Sequence, residues 1–277
     1  MKIADAVRAG LPIPVPVIDA HTHIGNNFIG TWYNDPAEAD LTVTVRRMDE
    51  LGIDAIITMT NYIDLGMMQR ANRLADTAAR LYPGRIYGYI TVCPGEGIPA
   101  VRQELEKYGD SEYFVGAKFL PGYHGSIDQP AYHYAADFLA ERKAVLLIHI
   151  WEDDPPLERV YALAEKRPHL KVICAHQGGG YRESTYKLAK LIGNLPNLYA
   201  DSCGSLCNHL GMEEIVACVG ADRLIFGTDQ LCIEPRYEIA RLALAPLPEA
   251  IKRQVFAENY LSLSEDSTMG RIKLRGG

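Results

Sequence analysis

The feature that most constrains this chain is a repeating beat. Short apolar runs alternate with stretches whose apolar residues recur at helical spacing, and the alternation persists over almost all 277 residues. The runs are VPVIDAH, IDAIITMT, RIYGYITV, YFVGAKFL, AVLLIHI, LKVICAH, NLYADSC and DRLIFGTD. Between the first two, in residues 36–51, Leu41, Val45, Met48 and Leu51 share one helical face and Gly52 supplies a stop. Between the next two, Ala71, Leu74, Ala78 and Leu81 do the same before Pro83-Gly84. Further helices are expected over about 98–109, 129–142, 155–166, 184–192 and 211–219.

Apolar strands separated by amphipathic helices are what a parallel sheet requires, because each crossover lays a helix on the sheet. Eight such units point to an α/β fold, a TIM-like (β/α) eight-stranded barrel. An open, doubly wound dinucleotide fold is disfavoured, since no G-x-G-x-x-G follows the first run. Residues 236–245 supply a last outer helix, and PEAIKRQVFAENYLSL reads as an extra C-terminal helix against the barrel. With no linker and no longer repeat, residues 1–277 read as one domain.

In such a barrel the C-terminal ends of the strands converge on one mouth, where active sites form. Those ends carry His21 and His23 (first), Lys118 (fourth), His149 (fifth), His176 (sixth) and Asp229 (eighth). Strand side chains alternate with period two, so His21 and His23 are expected to face the interior together and reach one ion. Three imidazoles, from His21, His23 and His149, and the Asp229 carboxylate form a mixed N/O set suited to Zn²⁺, Mn²⁺ or Fe²⁺ with a position left open. One such histidine alone reads as a hydrogen-bonded core residue. Several at like positions of separate strands need a common partner, because buried polar groups are costly unless paired.

Other candidates are more local. Asp19 reads as sharing the strand face of His21, either as a carboxylate supporting it or as a satisfied interior acid. His124 and Trp151 follow strand ends and are candidate substrate contacts. Trp32 and Tyr33, in the first long loop, are candidates for an aromatic wall. HQGGGY lacks the Lys-Ser/Thr of a P-loop, so its glycines read as a sharp turn beside the site. Cys203, Cys207 and His209 fit no common zinc module, and the six cysteines, without any CxxC, read as free thiols of a reducing compartment. His133, His169 and His209 read as structural.

Charge and hydropathy exclude other classes. Lys plus Arg number 28 against 35 Asp plus Glu, a net charge of −7, and no basic block exceeds Arg46-Arg47, which argues against nucleic-acid and anionic-membrane partners. No apolar run approaches the roughly 20 residues of a membrane span, and the start of the chain has no secretory pattern. A cytoplasmic enzyme of a small-molecule substrate is the expectation, with a homodimer as the default assembly.

Taken in order, VIDAHTHIG, VGAKFLP, VLLIHIWE, VICAHQGGG and LIFGTDQ resemble the amidohydrolase superfamily, in particular its amidohydrolase-related branch of metal-dependent hydrolases and aminocarboxymuconate-semialdehyde-type decarboxylases. The resemblance spans roughly residues 15–262, including the closing FAENYLSL. It implies that His21, His23, His149 and Asp229 ligate a divalent metal with His176 beside them. In one-metal members the histidine of the sixth strand activates water or holds substrate, whereas in two-metal members it ligates the second ion; both roles stay open for His176. Some members carry a carbamylated lysine at the place of Lys118, bridging two metals, but in this branch it resembles an unmodified lysine near substrate. One metal is favoured, with Zn first and Mn or Fe as alternatives.

Such an ion lowers the pKa of bound water from 15.7 toward about 7 and polarises carbonyl groups. Asp229 is then the proton carrier and His176 the group that shares the base role or stabilises an oxyanion. The leading expectation is hydrolysis of an amide, ester or lactone. The rival is nonhydrolytic decarboxylation of a small unsaturated or aromatic acid; a noncatalytic ligand-binding barrel is the third reading. The branch's decarboxylases are usually longer, which favours hydrolysis for a chain near the minimum for the barrel.

Overall fold

The computed structural model describes residues 1–25, 41–61, 66–204 and 211–274. Eight strands form one parallel sheet in sequence order: β1 (Ile18–Ile24), β2 (Ala55–Thr60), β3 (Ile86–Val92), β4 (Phe114–Phe119), β5 (Val145–Ile148), β6 (Lys171–Cys174), β7 (Leu198–Asp201) and β8 (Leu224–Ile225). The Ala20 N–H donates to Phe226 O at 3.0 Å, the Asp229 N–H to His21 O at 2.8 Å, and Thr22 bridges Gln230 in parallel. These contacts bring the end of the sheet back to its beginning, the arrangement of a TIM-like barrel.

Two apolar layers follow from strand alternation. Ile56, Ile90, Phe119, Leu146, Val172 and Phe226 face outward against the helices. Ile18, Ile57, Tyr89, Leu147, Ile173 and Ile225 fill the interior. The helices Met68–Leu81, Gly97–Tyr108, Pro130–Glu141, Leu157–Glu165, Arg182–Asn194, Met212–Val219 and Pro235–Leu244 lie within a few residues of the expected spans. A short helix at Ile3–Arg8, which the periodicity did not signal, precedes the barrel.

Residues 249–263 form consecutive helical segments with a π-type turn at Gln254–Glu258. Ala257, Tyr260 and Leu263 join the interior cluster, and the Asn259 side chain donates to the carbonyls of Ala221 and Leu224, at the entry of β8. This places the segment at the end of the barrel opposite the histidines. The eighth run is shorter than expected: only Leu224–Ile225 has regular ladder pairing, and residues 226–230 reach β1 through the isolated contacts above. Among the described residues no helix is long and apolar enough to cross a membrane.

Candidate functional site

Period-two alternation delivers most of the mouth residues. On β5, Val145 and Leu147 point inward and His149 continues their row; on β8, Ile225 is followed by Gly227 and Asp229. β1 needs a further device. Its register against β2 slips between Asp19 and Thr22, where Ala20 and His21 together face Ile57. Ile18 and Ala20 are interior, so unbroken alternation would turn His21 and His23 outward; the bulge re-aims both into the mouth. It also separates Asp19 from the face of His21. Asp19 instead accepts the Thr228 N–H at 2.9 Å and its hydroxyl at 2.5 Å, tying β1 to the strand that carries Asp229.

His21 lies at the centre of the cluster. Its Nδ1–H donates to Asp201 Oδ2 at 2.7 Å, while Nε2 lies 3.1 Å from Lys118 Nζ and 3.7 Å from Asp229 Oδ1. His23 Nε2 is 3.2 Å from the same Asp229 oxygen. One donor atom each from His21, His23 and Asp229 fall within 4.8 Å of one another, all buried. His149 stands slightly apart, with its Nδ1 3.1 Å from His176 Nε2. The structure therefore brings together His21, His23 and Asp229, and sets His149 and His176 beside them as a pair.

The electrostatics suit a cation. Burial first, then the neighbouring Lys118 for His21 and His176 for His149, pushes both imidazoles well below the ordinary histidine range, so they are neutral with lone pairs to offer. Burial likewise brings His176 down to about 4. For Asp229 burial works upward but is overcome by the hydrogen bond from His23 and by His21 and His176, which hold it well below the usual carboxylate range. Burial raises Asp201 to about 6, against the opposing pull of His176 and Lys118, and Asp19 to about 7, against its bonds from Thr228.

The backbone is strained at the same place. Asp229, His176 and Gln177 have φ values of +58°, +55° and +54°, a region costly for residues with a Cβ. His176 is held there by its own N–H, which donates to Asp201 Oδ1 at 2.7 Å. Gly227 is required by contact: a Cβ there would lie 2.8 Å from His21 Cβ.

Substrate-side candidates divide. Lys118 is wholly buried, with its Nζ on His21 rather than at a rim. The Trp151 ring stands edge-on to His176 at 5.6 Å, and Tyr123, which the sequence did not single out, stands edge-on to His149 at the same separation. His124 places its Nε2 4.0 Å from Cys93 Sγ, just past the C-terminal end of β3. Trp32 and Tyr33 lie outside the described residues, as do Cys207 and His209.

Two further residues, Asp201 and Cys203, stand beside the site candidates that the sequence singles out. Both are fully buried in the mouth, with Cys203 Sγ 3.2 Å from His21 Nδ1 and 3.6 Å from His176 Nδ1. The signal was present, since Tyr199, Asp201 and Cys203 follow the same i, i+2 rule that exposed His21 and His23.

The model of the family described as Amidohydrolase matches residues 18–259. The chain belongs to the amidohydrolase family. No curated protein matches it. Among solved structures, this chain is similar to dihydroxybenzoic acid decarboxylase of a Polaromonas species, with bound manganese and 2-nitroresorcinol (TM-score 0.70, 18% identity, 91% of this chain and 97% of that one). It is also similar to 2,6-dihydroxybenzoate decarboxylase from Rhizobium (0.71, 15%, 91% and 98%). A third is 5-carboxyvanillate decarboxylase from Novosphingobium aromaticivorans, with manganese and a nitrobenzoic acid (0.71, 17%, 91% and 96%). At these identities the likeness is one of fold.

Proposed function

We propose that this amidohydrolase-family chain is a metal-dependent, nonhydrolytic decarboxylase of a small hydroxylated aromatic acid. One observation carries the reading: the Lys118 ammonium is wholly buried 3.1 Å from His21 Nε2, inside the donor cluster. A cation fixed there favours an anionic substrate group over the neutral carbonyl of an amide or ester. The named activities of the structural neighbours and the edge-on Trp151 and Tyr123 rings support an aromatic carboxylate.

The donor chemistry fits a divalent ion, because the neutral imidazole of His21, the buried ring of His23 and the ionised carboxylate of Asp229 converge within reach of one another. His21, His23, Asp229 and His149 would hold it; Mn²⁺ suits the set as well as Zn²⁺, and the neighbours contain manganese. When bound, the ion supplies Lewis acidity to a substrate oxygen. Lys118, unmodified, pairs with the carboxylate, and Trp151 and Tyr123 flank the ring. His176, neutral, takes the proton of a hydroxyl ortho to the carboxylate at Nε2 and returns it to the carboxylate-bearing carbon. The ring–carboxyl bond then breaks, its electrons stay on the ring, carbon dioxide leaves, and a solvent proton restores the hydroxyl. Asp229 stays ionised throughout.

Hydrolysis of an ester, amide or lactone is the second reading, favoured by the neutral His176 beside the donor cluster, whose free lone pair can take a proton from water. Manganese-loaded protein offered 2,6-dihydroxybenzoate, 5-carboxyvanillate and a panel of aryl esters and lactones decides between them. Release of carbon dioxide is expected; acid release from the esters with no carbon dioxide from any acid would establish hydrolysis instead.

A further inference from the structure

The proposed metal position uses only one side of two imidazole rings. His21 turns Nε2 toward Asp229 and Lys118, and His176 turns Nε2 toward His149. Both rings turn Nδ1 the other way, and there they meet Asp201 and Cys203. His21, His176, Asp201 and Cys203 each offer a donor atom within 4.8 Å of the others, and all four are buried.

The spacing is close to that of a tetrahedral site. Ligands at the usual Zn–S and Zn–N lengths of about 2.3 and 2.1 Å stand roughly 3.6 Å apart at a tetrahedral angle. Cys203 Sγ is 3.6 Å from His176 Nδ1 and 3.2 Å from His21 Nδ1. The donor sets also differ in softness. The front set is imidazole and carboxylate, which serves Mn²⁺; the rear set adds a sulfur, which selects Zn²⁺ or Cd²⁺ when it loses its proton to the incoming ion.

We propose that the mouth contains a second cation site, formed by the Nδ1 atoms of His21 and His176 with Asp201 and Cys203, which takes a thiophilic divalent ion such as Zn²⁺ or Cd²⁺. Filling it moves the His21 proton from Nδ1 to Nε2, because a neutral imidazole has one lone pair, and so removes both the Nδ1–H···Asp201 hydrogen bond that orients His21 and the Nε2 lone pair of the front set. Occupancy of the rear site therefore loosens the front one, and excess Zn²⁺ or Cd²⁺ acts against Mn²⁺ because both sites draw on His21. The inference does not depend on which reaction the front site performs.

Cd²⁺ alone is the probe, added to the manganese-loaded full-length protein. The expected result is an ultraviolet sulfur-to-cadmium charge-transfer band that saturates at one equivalent, a cadmium NMR signal in the range of a single sulfur ligand with nitrogen and oxygen, and release of Mn²⁺ followed by electron paramagnetic resonance. Cys203→Ser should abolish the band, and Cys203→Ala gives the same reading should serine disturb folding. Absence of the band in the wild type, its persistence at full amplitude in the folded variant, or a cadmium signal from nitrogen and oxygen ligands alone overturns the proposal.

Discussion

Asp201 Oδ2 lies 2.7 Å from His21 Nδ1, and the other oxygen of the same carboxylate accepts the backbone N–H of His176 at 2.7 Å. One buried carboxylate thus sets the ring of one histidine and the backbone of another. By donating Nδ1–H to Asp201, His21 keeps Nε2 as the lone pair that faces Asp229. Carboxylates in this position typically contribute about 10–100-fold to metal affinity. Asp201→Ala should weaken Mn²⁺ binding by about that factor in a calorimetric titration; unchanged affinity would show that His21 is oriented by other contacts.

Gly227 predicts a steric effect on the same ring. A methyl at this position would lie 2.8 Å from His21 Cβ, and both residues are buried between adjoining strands. Gly227→Ala should cost about 1–3 kcal/mol of stability, as overpacked cores do, and weaken Mn²⁺ binding by displacing His21. Denaturant unfolding and the same titration measure the two effects, and a variant as stable and as tight as wild type would contradict the geometry.

His176 separates a proton-moving role from a ligating one. If it moves the proton, His176→Asn should lower the rate of carbon dioxide release by roughly 10²–10⁴ while leaving Mn²⁺ content near one per chain. Loss of bound manganese in that variant would identify His176 as a ligand instead. The comparison needs only metal analysis beside the rate.

Glu238 predicts a pH dependence away from the metal. It is fully buried on the helix Pro235–Leu244, and both its oxygens accept from Arg241 Nη1 at 2.9 Å. Burial pushes its carboxyl up to about 8 despite Arg241, with Asp201 and Asp19 adding to the rise. Because the folded-state value lies above the unfolded one, near 4.5, the folded protein holds the proton more tightly. The stabilisation is complete below about 4.5 and is lost as pH rises through about 8. Wild type should therefore lose stability relative to Glu238→Gln between these limits in denaturant titrations; parallel profiles would show that Arg241 keeps the carboxylate ionised throughout.

The βα beat, the mouth and several of its polar residues were legible in the sequence, because strand and helix periods are local properties. His149 follows by alternation from Val145 and Leu147 of β5, whereas Asp229 lies beyond the two-residue ladder of β8, at a positive φ that alternation does not foresee. For His21 and His23 the device is different from alternation: the bulge at Ala20–His21 turns them inward, and it sends Asp19 to Thr228. A bulge depends on pairing with β2 and leaves no mark in the spacing of one strand.

Asp201 and Cys203 show the other side of that limit. Their i, i+2 spacing was visible, yet nothing local said that β7 would set them against the rear nitrogens of His21 and His176, more than twenty residues away in one case and about 180 in the other. By itself the sequence determined a parallel α/β barrel and the kinds of side chain at its mouth, because those follow from residue periodicity. Only the tertiary structure decided which ring nitrogen faces which carboxylate, sulfur or ammonium, because that is set by strand register and closure, where one residue of slip turns a side chain to the opposite face.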